Sequence, residues 1–296
     1  MPDNQEARDT AEMASAFSHP PVAPDATASY GPHPDQVVDF YHPRATTDPT
    51  PIPTPTPLVV ALHGGAWRAR YDRRHLTPFV DFLARRGFAV ANVEYRRGSG
   101  LPQQGGGGAP AGRWPETFDD VAAALDALPD LARTHLPRAD PRRTVLTGHS
   151  AGGHLALWAA ARHVLPPDSP WYSPAAGRLR GVVALAPIAD FARAVELDVC
   201  DGAVGQLLGE DAQFAERRSL ADPSLLLPTG VATTLVQGRD DIVVPQAVAE
   251  AYADAAAEAG EPVGYTLLEG VGHFPLIDPA ADACAVVAEE IAQLAY

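Results

Sequence analysis

Apolar residues in this chain form short, nearly unbroken runs, separated by stretches with a three-to-four-residue rhythm. Leu58-Val59-Val60-Ala61-Leu62, Phe88 to Val93 and Val182 to Ala186 are runs of the first kind, and Thr233-Thr234-Leu235-Val236 is a further strand candidate. Continuous apolar runs mark strands buried on both faces. Gln36 to Tyr41 alternates and predicts a first strand. Arg142 to Thr147 and Val263 to Leu268 complete the set. Between the strands, apolar positions recur at helical spacing. Leu76, Phe79, Val80 and Leu83 define a helix over 73–86, stopped by Gly87. Phe118, Val121, Leu125 and Leu128 define another after Trp114-Pro115. Further helices fall at 151–163, 246–259 and 279–295. This alternation predicts an α/β fold, a doubly wound and mostly parallel sheet with helices on both faces.

The breaks in the pattern place the loops. Residues 1–29 have little periodicity and read as a disordered N-terminal tail. Residues 30–296 then form a single domain. Pro43 to Pro57 has proline at every second position from Pro49 and reads as an extended connector. Gly98 to Gly112 reads as a flexible loop. Residues 188–230 hold short helical pieces broken by Gly202, Gly205, Gly209 and Pro223, and read as a lid-like insertion.

Composition narrows the partners. The net charge of −15 argues against nucleic acid and against an anionic membrane surface. No run of about 18 apolar residues predicts a spanning helix. The polar Met1 to Thr10 stretch has no signal-like apolar core, so a cytoplasmic location is expected. Cys200 and Cys284 read as two core thiols, and neither has metal-ligand spacing.

The chemistry centres on Gly148-His149-Ser150-Ala151-Gly152, which has the form G-x-S-x-G. It follows a strand and opens a helix, the context of a nucleophile elbow. A serine hydroxyl needs a base in reach and an acid to orient that base. On this kind of sheet the partners follow in the order Ser, Asp or Glu, His. Ser150, Asp241 and His273 satisfy that order. His273 lies in the glycine-framed loop Gly270-Val271-Gly272-His273-Phe274. Asp240 is the alternative acid; the register G-x-x-D-x-x-V-P from Gly238 to Pro245 favours Asp241. Ala151 supplies one oxyanion-hole amide, and the His63-Gly64-Gly65-Ala66-Trp67 loop supplies others from Gly65 and Ala66. His149 is expected to point away, and His63 to shape its loop. His75 and His154 are expected on helix surfaces or ends.

With His63-Gly64-Gly65-x-Trp67, Gly148 to Gly152 and Gly272-His273-Phe274 together, residues 30–296 resemble the α/β-hydrolase family. They resemble its H-G-G-x-W branch, which holds arylformamidases and small acetyl or feruloyl esterases. The resemblance implies a serine hydrolase that cleaves a small soluble carboxylic ester through an acyl-enzyme, without metal or cofactor. The alternative is an arylformamidase acting on an N-formyl amide such as N-formylkynurenine. A non-catalytic ligand-binding protein on the same scaffold is a third reading. Trp67, Tyr95, Trp114 and Phe274 are the candidates for an aromatic substrate pocket. The oligomeric state is left open.

Overall fold

The structure, a computed structural model, describes residues 2–44, 55–98, 111–209 and 212–296. Most of the proline connector and of the glycine-rich loop lies outside the described residues, as do Glu210 and Asp211 of the insertion.

Eight strands form one sheet: β1 Ala26–Ser29, β2 Val37–Tyr41, β3 Thr56–Leu62, β4 Ala89–Val93, β5 Ala139–His149, β6 Gly181–Leu185, β7 Thr233–Gly238 and β8 Gly264–Leu268. Their spatial order is β1-β2-β4-β3-β5-β6-β7-β8. β1 and β2 pair antiparallel at one edge, and every pairing from β4 to β8 is parallel. The apolar runs are strands because both sides of the sheet are covered. Along β3, Leu58, Val60 and Leu62 enter one core while Val59 and Ala61 enter the other. Burying a side chain of this size contributes roughly 1.5–3 kcal/mol, so a polar swap on either face would be costly.

The first core is closed by α3 (Glu116–His135), α4 (Ala151–Ala160) and α8 (Gln246–Glu258). The second is closed by α2 (Thr77–Arg85) and α9 (Asp282–Ala295). Every residue of α4 is buried, which explains why its sequence lacks a polar face. Parallel strands and right-handed crossovers bring the loops after β3, β5, β7 and β8 to one rim.

Residues 2–29 differ from expectation. Helix α1 (Pro2–Ala16) and strand β1 are ordered against the body of the molecule. Alanine, glutamate, glutamine and arginine give α1 good local propensity. Polar contacts tie it down: Arg8 with Asp240 (2.7 Å) and Ser15 with Asp278 (2.6 Å), followed just beyond its end by His19 with Asp278 (2.7 Å). A helix held by polar contacts shows no apolar stripe in its sequence.

The insertion after β6 holds α5 (Phe191–Glu196), α6 (Ala203–Leu208) and α7 (Ala212–Ala221). It packs over the first core through Phe191, Ala194, Leu207 and Leu208.

Candidate active site

Ser150 sits between the end of β5 and the start of α4, with φ 58° and ψ −119°. That left-handed φ is costly for a residue with a Cβ, of order 1–3 kcal/mol, and persists only where the surroundings enforce it. Three glycines do so by close approach. A Cβ on Gly148 would lie 2.2 Å from the Gly152 carbonyl oxygen. One on Gly152 would lie 2.0 Å from the Leu62 carbonyl oxygen, and one on Gly64 would lie 2.6 Å from that of His149. The Ser150 amide donates to Leu185 O (2.8 Å), tying the turn to β6.

His273 follows β8 and Asp241 follows β7, and both are buried. His273 Nδ1 donates to Asp241 Oδ2 at 2.6 Å. In a neutral imidazole this leaves Nε2 as the acceptor, the tautomer a general base requires. The other Asp241 oxygen accepts from the amides of Val243 and Val244, both at 2.8 Å. Asp240 instead faces α1 and pairs with Arg8. Of the two neighbouring aspartates it is therefore Asp241 that contacts His273.

Ser150, His273, Gly65, Ala66 and Phe274 line one pocket of about 220 Å³. Ala151 is the first residue of α4 and buried beneath it; amides in a helix's first turn have no intrahelical acceptor. The loop after β3 is unusual: Gly65, Ala66 and Trp67 have φ of 104°, 51° and 54°. A Cβ on Gly65 would lie 2.4 Å from that of Tyr71, so only glycine fits there.

The remaining pocket candidates are placed elsewhere. Trp67 is fully buried, edge-on to His154 and Phe191. Tyr95 is fully buried, stacks on His63 at 4.2 Å and donates its hydroxyl to His63 O (2.6 Å). Trp114 packs on Phe118 and Trp171 in the first core. These rings lie next to the motifs in sequence, but the apolar layer beneath the rim takes them. The pocket wall comes instead from Phe17, Tyr71, His75 and Phe274, with Cys200 and Asp201 from the insertion. Phe17 touches Tyr71, His75 and Phe274, with ring centroids 5.6–6.0 Å apart.

Several supporting residues carried no motif. Glu94, at the end of β4, accepts from His63 Nε2 (2.8 Å), Arg97 Nη1 (2.7 Å) and the amides of Tyr95 and Arg73. Burial pushes its carboxyl up, but His63, Arg97 and the Arg73 amide outweigh that and hold it down at about 2. His63 also contacts Gly64 O (2.9 Å), so Glu94 anchors the glycine loop through it, as expected of a loop-shaping histidine.

His149, expected to point away, lines the pocket with its ring 4.3 Å from that of His273. Its Nε2 donates to His273 O at 2.9 Å, which fixes the His273 backbone. Burial, then the neighbouring His273, keeps its pKa far below the ordinary histidine value. His75 and His154 were expected at helix surfaces or ends; His75 is half-buried and His154 buried. Burial brings His75 down to about 4 and His154 to about 3. The signal for His149 was its place inside the pentapeptide; for His75 the sequence holds none.

Both cysteines are free. Burial raises Cys200 to about 11 and Cys284 to about 12, so neither thiol is activated. Among the described residues, no group of three His, Cys, Asp or Glu side chains could hold a metal ion. Among them also, no helix is long and apolar enough to cross a membrane.

A parallel sheet wrapped on both faces, with an elbow serine and an Asp–His pair on its rim, defines the α/β-hydrolase fold. The BD-FAE family model matches residues 38–255, and the chain belongs to that family. LipM of Mycobacterium tuberculosis, a probable carboxylic ester hydrolase, is 26% identical over 243 residues. The match covers 79% of this chain and 53% of LipM, so the chain spans about half the length of that relative. A truncated carbohydrate esterase from gut microbiota superposes with a TM-score of 0.71 at 18% identity, covering 94% of this chain and 99% of that one. Esterase B from Lactobacillus rhamnosis superposes with a TM-score of 0.70 at 19% identity, covering 99% and 93%. At these identities the likeness is one of fold.

Proposed function

We propose that the protein is a serine carboxylesterase acting on a small ester. The observation that carries this reading is the His273–Asp241 hydrogen bond of 2.6 Å opening onto the pocket that Ser150 lines. Ser150 Oγ attacks the ester carbonyl while His273 Nε2 takes its proton. Asp241 holds the imidazole and stabilises the imidazolium that forms. The amides of Gly65, Ala66 and Ala151 receive the oxyanion in the tetrahedral intermediate. His273 then returns the proton to the leaving alcohol, and an acyl-Ser150 ester remains. Water, activated by the same imidazole, attacks that ester and releases the acid. The names of LipM and of the esterases sharing the fold support ester cleavage.

A pocket of about 220 Å³ is smaller than the roughly 300–1,000 Å³ of drug-sized sites, which suits a short acyl group. The aromatic side chains of Phe17, Tyr71 and Phe274 around it keep an arylformamidase as a second reading with the same triad. Relative kcat/KM on 4-nitrophenyl acetate and N-formylkynurenine separates the two.

The test is turnover of 4-nitrophenyl acetate with wild type and Ser150→Ala, together with a fluorophosphonate probe read by mass spectrometry. Wild type should turn over and label at Ser150. The alanine variant should lose roughly 10⁶-fold in kcat, the scale seen when a triad serine is removed. An inert wild type, or a variant that keeps its rate, would end this reading.

A further inference from the structure

We infer that Arg68 is a specificity-determining residue and that the substrate ester carries an anionic oxyacid group, a carboxylate. The inference rests on the esterase reading above. Arg68 follows the glycine loop directly, and its side chain lines the pocket that holds Ser150 and His273. Two observations make it more than a wall residue.

The first is its unused hydrogen-bonding capacity. Nε is buried and has no acceptor among the described residues. Among the described residues, Nη1 has only the Asp201 carboxylate at 3.7 Å, and that side chain is 93% exposed. An exposed pair at that distance is weak and screened. A guanidinium presents five N–H donors in a planar fork, so the Nη1 donors of this pocket-lining residue are left for a ligand.

The second is that the fork is held in place. Nη2 donates to Cys200 O at 2.8 Å and lies 3.4 Å from Gln206 Oε1, so the insertion clamps one corner of it. The Arg68 amide donates to Gly65 O (2.9 Å), which links the residue to the loop assigned to the oxyanion. A clamped guanidinium loses little entropy when an anion arrives, and that favours selective binding.

The protein is otherwise hostile to anions, with a net charge of −15. A neutral ester has no use for a fixed cation beside the serine; an ester with a carboxylate does. The small pocket favours planar carboxylate over bulkier phosphate or sulfate. The carboxylate can sit on the acyl part or on the alcohol part, so each needs its own probe pair.

The experiment compares kcat/KM for 4-nitrophenyl hemisuccinate against 4-nitrophenyl butyrate, and for 4-carboxyphenyl acetate against phenyl acetate. Each ratio is measured in wild type, Arg68→Met and Arg68→Lys. In one pair or both, the anionic-to-neutral ratio should fall roughly tenfold or more in Arg68→Met, the loss typical of a charge-assisted hydrogen bond. Arg68→Lys should recover part of it, and the loss should appear mainly in KM. A purely structural clamp on the insertion would lower both members of a pair together and leave the ratio unmoved. Ratios within about threefold of wild type for both pairs overturn the inference, taking threefold as below one such hydrogen bond. Absence of turnover of all four esters by wild type would instead overturn the esterase reading.

Discussion

Ser150, Asp241 and His273 stand on loops whose backbones press against the sheet, whereas Phe17, Cys200 and Asp201 reach the same pocket from segments tied on by side chains. On the rim, contacts are main chain to main chain: Gly64 against His149 O, Gly152 against Leu62 O, Gly238 against Gly272 O. On the cap, they are side-chain hydrogen bonds: Arg8 to Asp240, Arg68 to Cys200 O, and Glu12 accepting from the Gly272 amide at 3.3 Å. Backbone contacts leave little room for adjustment, because neither partner can rotate away. Side-chain contacts can be exchanged one at a time. The rim is therefore suited to fixed chemistry, and the cap to setting which ester enters.

The largest expected contrast lies between two neighbours in sequence. Asp241 belongs to the rim and holds His273; Asp240 belongs to the cap contact and holds Arg8. Asp241→Asn should lower kcat by about 10⁴-fold, the effect of turning a triad acid into an amide. Asp240→Asn should cost about 1 kcal/mol of stability or less and leave kcat within about threefold, as for a partly exposed ion pair. Esterase kinetics on both variants checks this. Equal losses would show that Asp241 has no special hold on the base.

The same contrast can be drawn with two glycines. Gly152→Ala would place a Cβ 2.0 Å from Leu62 O and 2.5 Å from His63 O, both main-chain atoms. It should destabilise the fold by roughly 1–3 kcal/mol or more, as overpacking does. Gly205 lies inside α6, and a Cβ there meets nothing within 4 Å. Gly205→Ala should stabilise by roughly 0.5–1 kcal/mol, the helix-propensity difference. Unfolding midpoints in urea measure both. A neutral Gly152→Ala would mean that the elbow is not packed as tightly as described.

This division also explains what was legible in the chain. Strands buried on both faces leave continuous apolar runs, and backbone contacts at the rim leave glycines at fixed spacing. Strands β2 to β8, and the positions of Ser150, Asp241 and His273 on the loops that follow them, could be read from those marks; β1, in a stretch read as tail, could not. Trp67, Tyr95 and Trp114 were misassigned because sequence adjacency to a motif does not say whether a ring faces the pocket or the core. Helix α1 was missed because its hold on the body comes through Arg8, Glu12 and Ser15, with His19 just beyond its end. Such polar residues look the same in a solvated tail. Glu94 lies outside every motif, since a buried carboxylate is set by partners that are distant in sequence, His63 and the Arg73 amide among them.

The smallest effect is expected where cap and rim meet. His75 lines the pocket, with its ring 5.6 Å from Phe17 on the cap side and 5.8 Å from His63 on the rim side. Burial, then the charge of His63, lowers its pKa to about 4, while Asp72 and Glu94 oppose that shift. The unfolded imidazole takes up a proton near 6.5, but the folded one does so only near 4. Between those values the unfolded state binds more protons, so stability rises with pH. The contribution is fully present above about pH 6.5 and is lost as pH falls toward 4, about 3 kcal/mol at most for this group. Buried His149 and His154 add to the same acid limb. Phe17→Ala should expose half-buried His75 further to water and raise its pKa toward the ordinary value. The Tm of the variant should then fall less steeply between pH 6.5 and 4 than that of wild type, by roughly 1 kcal/mol of pH-dependent stability. The variant's lower overall Tm, from lost packing, is common to all pH values and cancels in the slope. Superimposable slopes would mean that the rim alone buries His75 and that the cap does not reach it.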